Sequence, residues 1–213
     1  DTCSEPSSRQ GNLCEFFANW ALRNNAGSEN DLDRPNSPYI WAMHARYRFN
    51  AEKALIAVHH MAVTSSDLDL HTALKAIYFS DKAHLNAFQQ PIFGATYKAM
   101  KYGPVPLEVY EMIKGESLWL SELQITAMPW KLEGFRIKLA SNEPVTLDLL
   151  ADSEREHFEA GFQKSRQMTF NDRTAQTHGP DWQAANLGEM RYEDMVEPGP
   201  DRAAIIDFIK ENA

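Results

Sequence analysis

A long apolar stripe runs through residues 70–88, "LHTALKAIYFSDKAHLNAF". The apolar side chains recur with the spacing of one face of an α-helix. Pro91 and Gly94 then interrupt the pattern, because neither residue favours a continuing helix. We therefore predict a long amphipathic helix that must bury one face against other elements. The stripe consists of Leu70, Leu74, Ile77, Tyr78, Leu85 and Phe88.

Other helices are predicted on both sides of this one. Asn50 is a good N-cap for an apolar-faced segment. Pro106 suits the first turn of a helix that ends at Gly115. Ser153 and Glu156 have the spacing of a capping box. Helices are thus expected over residues 50–62, 70–88, 106–115, 152–167 and 201–213, with a shorter one between 170 and 185.

Two short segments alternate apolar and polar residues, which is typical of β-strands. They are "FRIKLAS" (135–141) and "PVTLDLL" (144–150), separated by Asn142 and Glu143. We predict that they pair as a β-hairpin. The predicted fold class is therefore mainly α (α+β), a compact helical domain with a small β-hairpin.

The beginning of the chain differs in composition from the rest. Residues 1–42 are rich in Ser, Asn, Asp, Gly and Pro around one short helical segment, "LCEFFANWALR". We predict an N-terminal extension over residues 1–42 and a main domain over residues 43–195. A C-terminal helix in residues 196–213 is expected to pack on that domain.

The charge of the chain is −9, which argues against binding to nucleic acid. The charge is also segregated, with 11 basic and 9 acidic residues in 46–139 but 7 basic and 15 acidic residues in 140–213. This asymmetry is compatible with steering of a charged protein partner or with a solvated acidic face. No apolar run has the roughly 20 residues of a membrane helix, and we expect no membrane association. Cys3 and Cys14 form no disulfide framework, and a cytoplasmic location is expected.

Catalytic and metal-binding motifs are missing from the sequence. We find no dinucleotide, phosphate-loop, nucleophile-elbow or zinc-protease pattern. His59 and His60 are adjacent and would point about 100° apart on a helix, so they cannot share one metal. We therefore expect no metal, no cofactor and no catalytic residue.

Asp81 lies near the centre of the apolar stripe, where a carboxylate must be paired or hydrogen-bonded, or its pKa must rise. It is interpreted as an anchored core carboxylate. A role as a general acid or base is the alternative.

A second polar cluster is "THGPDW", residues 177–182. His178 and Asp181 could form a hydrogen-bonded pair of the kind found in catalytic relays. A structural role in the turn is the preferred interpretation. Trp182 is interpreted as a half-buried packing residue, although Trp is also a typical interface anchor.

The stretch "YKAMKYGPVPLEVY", residues 97–110, is aromatic and basic around a Gly-Pro-Val-Pro corner. Such residues can stack on nucleic acid, bind a protein or form part of the core. Our hypothesis for a partner-binding surface consists of Tyr97, Lys98, Lys101, Tyr102, Pro104, Val105 and Tyr110.

An ordered series of these motifs resembles the Panacea domain, also called the SocA-like antitoxin domain. The similarity extends over about residues 49–192, and residues 1–42 have no counterpart in the family pattern. The residues that carry it are Lys75, Tyr78, Phe79, Asp81, His84, Leu85, Pro91, Phe93, Ala99, Tyr102, Gly103, Pro104, Val105, Tyr110, Thr177, His178 and Trp182. Asp81, His84, Gly103, His178 and Trp182 are interpreted as structural.

The resemblance implies a mostly helical domain without catalysis. It implies an antitoxin of a bacterial or phage toxin–antitoxin system, which neutralises a cognate toxin protein encoded nearby by direct binding. The alternatives are a proteolytic adaptor for the toxin and a small hydrolase that uses Asp81 or His178. A DNA-binding repressor is disfavoured, because no helix-turn-helix with a basic recognition helix is visible. The oligomeric state is open, with a homodimer among the options.

Overall fold

The computed structural model describes residues 44–140 and 143–213. These residues form nine helices and two small antiparallel sheets. The helices are α1 (Ala51–Thr64), α2 (Leu70–Phe88), α3 (Leu107–Lys114), α4 (Ser117–Glu122), α5 (Asp152–Gln167), α6 (Phe170–Thr177), α7 (Pro180–Ala184), α8 (Tyr192–Met195) and α9 (Arg202–Asn212). The strands are β1 (Tyr97–Met100), β2 (Gly103–Pro106), β3 (Trp130–Glu133) and β4 (Arg136–Leu139). The predicted class, mainly α with a small β component, is confirmed.

The long predicted helix forms as α2 with the expected bounds. Asp69 caps it, because its Oδ1 accepts a hydrogen bond from the Thr72 backbone nitrogen at 2.8 Å. The helix packs along α5, which buries Phe158 and Phe162 completely or nearly so. The Ser165 hydroxyl of α5 also donates to the Thr72 carbonyl oxygen at 2.8 Å. Helix α2 is thus the element around which the others are arranged.

The residues predicted to begin or end α1 and α3 have these roles in the structure, with the exception of Pro106. The Asn50 side chain accepts a hydrogen bond from the Lys53 backbone nitrogen at 3.0 Å and caps α1. Helix α3 ends at Lys114, with Gly115 as its C-cap. Pro106, however, is the last residue of β2 and the N-cap of α3, which begins at Leu107. Its restricted φ suits the end of the strand as well as the start of a helix.

The start of α5 differs from the prediction. The N-cap is Ala151, and the Glu154 carboxylate accepts a hydrogen bond from its backbone nitrogen at 2.9 Å. Ser153 lies inside the first turn and is not the cap. The capping-box spacing of Ser153 and Glu156 was misleading, because Glu154 forms the equivalent contact two residues earlier.

The predicted strand 135–141 exists as β4, but the predicted hairpin with residues 144–150 is wrong. Strand β4 pairs with β3 across a turn at Gly134 and Phe135. Its other edge is occupied, because the Ile137 backbone nitrogen donates to the Leu68 carbonyl oxygen at 2.9 Å. Both edges of β4 are therefore already hydrogen-bonded to other segments, which leaves no edge for residues 144–150. Leu147 and Leu150 are buried in the core instead.

A hairpin that the sequence did not predict is formed by β1 and β2. Tyr97 pairs with Pro106, and Met100 pairs with Gly103, across a turn at Lys101 and Tyr102. The outer edge of β1 is bound by a following segment: the Ala99 backbone nitrogen donates to the Gly188 carbonyl oxygen at 2.9 Å. The Gly-Pro-Val-Pro segment is therefore the buried strand β2.

One buried cluster contains side chains from α2, from the β1–β2 hairpin and from residues 190–209. In α9, Ile209 is fully buried and Ile205 and Ile206 pack partly buried against the cluster. The fully or nearly fully buried members include Tyr78, Leu85, Tyr97, Met195 and Val196.

The described residues belong to one unit of the chain, Met43–Ala213. The predicted extension over residues 1–42, with its short helix, lies outside the described residues. The boundary that separates 43–195 from 196–213 stays a prediction.

Candidate functional site: the α2 anchor network

Four polar side chains spaced three residues apart along α2 are buried in the structure. Each binds a different segment of the chain. We call them, with the groups they bind, the α2 anchor network. The four residues are Lys75, Tyr78, Asp81 and His84, with exposed fractions of 1%, 1%, 0% and 5%.

Asp81 binds the chain that leads into β1. Its Oδ1 accepts hydrogen bonds from the backbone nitrogens of Ile92 and Phe93, each at 2.8 Å. Its Oδ2 accepts one from the Tyr97 hydroxyl at 2.9 Å. Burial raises the pKa of Asp81 to about 7, while these three donors and the Gly94 backbone nitrogen act in the opposite direction. Both oxygens are thus occupied by groups of the core.

Tyr78 connects α2 to α7. Its hydroxyl donates to the Asp181 carboxylate, and the Lys82 ammonium donates to the same oxygen at 3.0 Å. Burial, and then the charge of Asp181, raises the pKa of the Tyr78 hydroxyl far above its ordinary range. The second carboxylate oxygen of Asp181 is buried and has no hydrogen-bond partner among the described residues.

Lys75 binds the β1–β2 hairpin. Its ammonium donates to the Pro104 carbonyl oxygen at 2.6 Å. The contact requires a glycine at position 103, because a Cβ there would lie 2.3 Å from the Thr177 hydroxyl oxygen and 3.2 Å from the Lys75 nitrogen. Burial, and then the charge of Arg173, lowers the pKa of Lys75 to about 7.

Arg173 and His71 form a second contact with the same hairpin. The Arg173 Nε donates to His71 Nδ1 at 3.1 Å, so this ring nitrogen must be an acceptor. The other nitrogen, Nε2, therefore carries the proton and donates to the Tyr102 carbonyl oxygen at 3.2 Å. Burial first, and then Lys75, lowers the pKa of His71 to about 3. The imidazole is accordingly neutral near pH 7.

His84 occupies the opposite end of the network. Its Nδ1 donates to the Gln90 carbonyl oxygen at 2.6 Å, and its Nε2 lies 3.3 Å from the Ser153 hydroxyl. Because a carbonyl only accepts, Nε2 is the acceptor for the hydroxyl. Burial lowers the pKa of His84. This residue joins the end of α2 to the start of α5.

His178 and Asp181 do not form the hydrogen-bonded pair that was the alternative to a structural role in the turn. His178 stacks on Trp182 with ring centroids 3.8 Å apart, and its Nε2 has no hydrogen-bond partner among the described residues. Asp181 is bound to Tyr78 and Lys82 instead. Trp182 donates from its Nε1 to the Met100 carbonyl oxygen at 2.9 Å, so it also fixes the β1–β2 hairpin. Burial, and then Lys75, lowers the pKa of His178.

The residues of the partner-surface hypothesis differ in accessibility. Lys101 is exposed, and Lys98 and Tyr102 are half-buried. A buried side chain cannot meet a partner without rearrangement, so in this structure only these three are available to one. The other four, Tyr97, Pro104, Val105 and Tyr110, are buried. That the stretch binds a partner stays a prediction.

The buried contacts of several site residues were not predicted when the residues were considered one at a time. Lys75 lies one helical turn from Tyr78 and shares the stripe with Asp81, and this spacing was the available signal. Arg173 and His71 carried no such signal, because 102 positions separate them in the chain.

Within residues 44–140 and 143–213, no group of three or more His, Cys, Asp and Glu side chains is placed to hold a metal ion. In the same residues, no helix is both long enough and apolar enough to cross a membrane.

The fold and the site together define a mostly helical domain in which one central helix holds a buried hairpin by polar contacts. The family model of the antitoxin SocA-like Panacea domain matches residues 74–183, which is just over half of the chain. The chain belongs to this Panacea-domain family, as the motifs had indicated. Comparison with curated proteins and with solved structures gives no match.

Proposed function

We propose that this chain is a non-enzymatic antitoxin, which neutralises a cognate protein toxin in the cytoplasm by binding it directly. The observation that carries the proposal is the match to the SocA-like antitoxin family over residues 74–183. The toxin is expected to be encoded next to this chain.

The chemistry of the site supports binding over catalysis. The polar groups of the family motifs bind other parts of the same chain: Lys75 binds the Pro104 carbonyl, Tyr78 binds Asp181, and Trp182 binds the Met100 carbonyl. Such contacts make a rigid scaffold whose surface can be complementary to a partner. A stable complex would bury roughly 1,600 Å² in total.

The geometry gives no support to a hydrolase that uses Asp81 or His178. Asp81 is completely buried, and both of its oxygens accept hydrogen bonds from core groups. A general base must reach a proton of the substrate, and Asp81 has no such access. No carboxylate of the described residues is hydrogen-bonded to His178 to orient it as a base.

Growth of cells that express the neighbouring reading frame tests the proposal. That protein should be toxic alone and harmless when it is produced together with this chain. Purification of the two proteins as a complex would separate direct neutralisation from delivery to a protease. An adaptor would lose its protection in cells that lack the protease, whereas a binding antitoxin would keep it. A neighbour that is harmless alone, or that kills in both conditions, would refute the antitoxin function.

Two substitutions separate antitoxin from enzyme. Asp81→Asn keeps an oxygen that can accept from the Ile92 and Phe93 backbone nitrogens, so the fold should survive. His178→Ala removes the imidazole and leaves Asp181 bound to Tyr78. An antitoxin should still protect in both cases. Loss of protection by a variant that remains folded, measured by circular dichroism, would favour chemistry at that residue.

A further inference from the structure

A small aromatic surface lies where the anchor network reaches the outside of the molecule. Phe170 is 37% exposed, and its ring lies 5.3 Å from that of Tyr102 and 4.3 Å from that of His71, measured between centroids. The exposed Lys101 places its ammonium 5.2 Å from the centre of the Tyr102 ring. We call these four residues, His71, Lys101, Tyr102 and Phe170, the hairpin-tip surface.

Positive charge is concentrated behind this surface. Lys75 binds only a carbonyl oxygen in the described part of the chain, and no carboxylate there pairs with it. Arg173 is 5% exposed, and its one acidic partner among the described residues is Asp69, with Arg173 NH2 3.5 Å from an Asp69 oxygen. Burial is the largest cause of the lowered pKa values of Lys75 and His71, and neighbouring cations add to it, Arg173 at Lys75 and Lys75 at His71. Up to about pH 7, where Lys75 keeps its proton, the two described cations behind the hairpin tip, Lys75 and Arg173, therefore face the single carboxylate of Asp69.

We propose that the hairpin-tip surface binds an acidic side chain of the toxin, flanked by an apolar residue that packs against Tyr102 and Phe170. This inference rests on the antitoxin function proposed above. A carboxylate at this position would meet the Lys101 ammonium directly and would be attracted by the buried charge of Arg173.

The negative charge of the whole chain limits where an acidic group of a partner can bind. The net charge of −9 repels an acidic partner at long range, so a locally cationic surface is the place where such a partner can dock. Aromatic rings beside a cation provide the apolar contact area that interface anchors use. Nucleic acid would need an extended basic track, whereas Lys101 is the one exposed cation of this surface.

The test measures the affinity of the full chain for the protein encoded by the neighbouring reading frame. Lys101→Glu should weaken binding at least tenfold, and Phe170→Ala at least fivefold. The matched controls are Lys210→Glu and Phe208→Ala on α9, where the lysine is exposed and the phenylalanine is 44% exposed. Both controls should change the affinity less than twofold. An Asp→Lys or Glu→Lys change in the toxin should restore binding to the Lys101→Glu variant.

The outcomes distinguish the surface from the function. If the wild-type chain protects cells but Lys101→Glu and Phe170→Ala bind as tightly as the controls, the antitoxin function stands and the surface assignment fails. Tighter binding by Lys101→Glu would overturn the acidic partner group. Binding of a fluorescent oligonucleotide that is lost in Lys101→Glu, without a change in toxin affinity, would assign the surface to nucleic acid. A neighbour that never binds the wild-type chain overturns both proposals.

Discussion

The two hairpins of this protein have the same size and very different environments. In β1 and β2, seven of the eight residues are buried, and the remaining one, Lys98, is half-buried. In β3 and β4, only Trp130 and Ile137 are buried. The first hairpin is held on several sides by other elements, whereas the second covers the structure with one face and leaves the other in solvent.

The difference follows from what each hairpin contacts. The β1–β2 hairpin receives hydrogen bonds from the side chains of Lys75 and Trp182, which come from two different helices. Its edge also pairs with the segment that includes Gly188. The β3–β4 hairpin is fixed by backbone contacts to residues 68–70 and by a surface ion pair of Arg136 with Asp67 at 2.6 Å. Its one buried side-chain hydrogen bond to a helix among the described residues runs from Trp130 Nε1 to the Ile113 carbonyl oxygen at 3.2 Å. The Gly-Pro-Val-Pro motif therefore belongs to the core, and the accessible side chains of this hairpin and its turn are those of Lys98, Lys101 and Tyr102.

The largest expected effect is the loss of the Asp81 carboxylate. Asp81→Ala should lower the free energy of unfolding by about 3 kcal/mol or more, because three buried donors lose their acceptor. Arg136→Ala is the matched change beside the second hairpin, and its half-exposed ion pair should contribute less than about 1 kcal/mol. Urea unfolding at pH 7 measures both. Equal losses would show that the first hairpin does not depend on its buried anchor.

The next effect compares one glycine from each hairpin. Gly103 has a φ of +95°, and a Cβ there would lie 2.3 Å from the Thr177 hydroxyl oxygen. Gly103→Ala should therefore destabilise the protein by about 2–3 kcal/mol through strain and steric clash. Gly134 has a φ of +61° with no atom within 4 Å of a Cβ, so Gly134→Ala should cost about 1 kcal/mol. Thermal unfolding of the two variants decides whether the hairpins differ in packing as described.

The charge of Lys75 should make the stability of the first hairpin depend on pH. The pKa of Lys75 is about 7 in the folded chain, against an ordinary value of 10.5. Between these pH values the unfolded state binds more protons, so the free energy of unfolding rises with pH across this window. Lys75→Met removes this rise. Relative to the variant, the wild type should gain more than about 1 kcal/mol between pH 7 and 9.5 in urea unfolding. A constant difference over this range would show that Lys75 titrates in its ordinary range.

The smallest effect is a gain in the second hairpin. Lys131 and Lys138 are direct cross-strand partners on the exposed face, and like charges in such a pair repel each other. Lys131→Glu should stabilise the protein by about 0.2–1 kcal/mol. Adding Lys138→Glu should cancel the gain, because the pair becomes like-charged again. A loss of stability in the single variant would mean that Lys131 is needed for packing and not only exposed.

Much of the helical structure could be predicted because its signals act over short distances. The stripe from Leu70 to Phe88 and the cap at Asn50 depend on residues three to four positions apart. The strand at 136–139 was predicted for the same reason, since its alternation is local. The pairing of that strand was not predicted, because it depends on which edge is free when the elements meet in space.

Local sequence patterns were enough to predict a mainly helical fold, an amphipathic α2 with a carboxylate on its buried face, and the motifs of the Panacea family. Which groups these motif residues bind depends on the packing of distant segments of the chain. Tyr78 meets Asp181 across 103 positions of the chain, and Arg173 meets His71 across 102. Helical periodicity and capping are properties of neighbouring residues, whereas a buried polar contact exists only after distant segments have packed together.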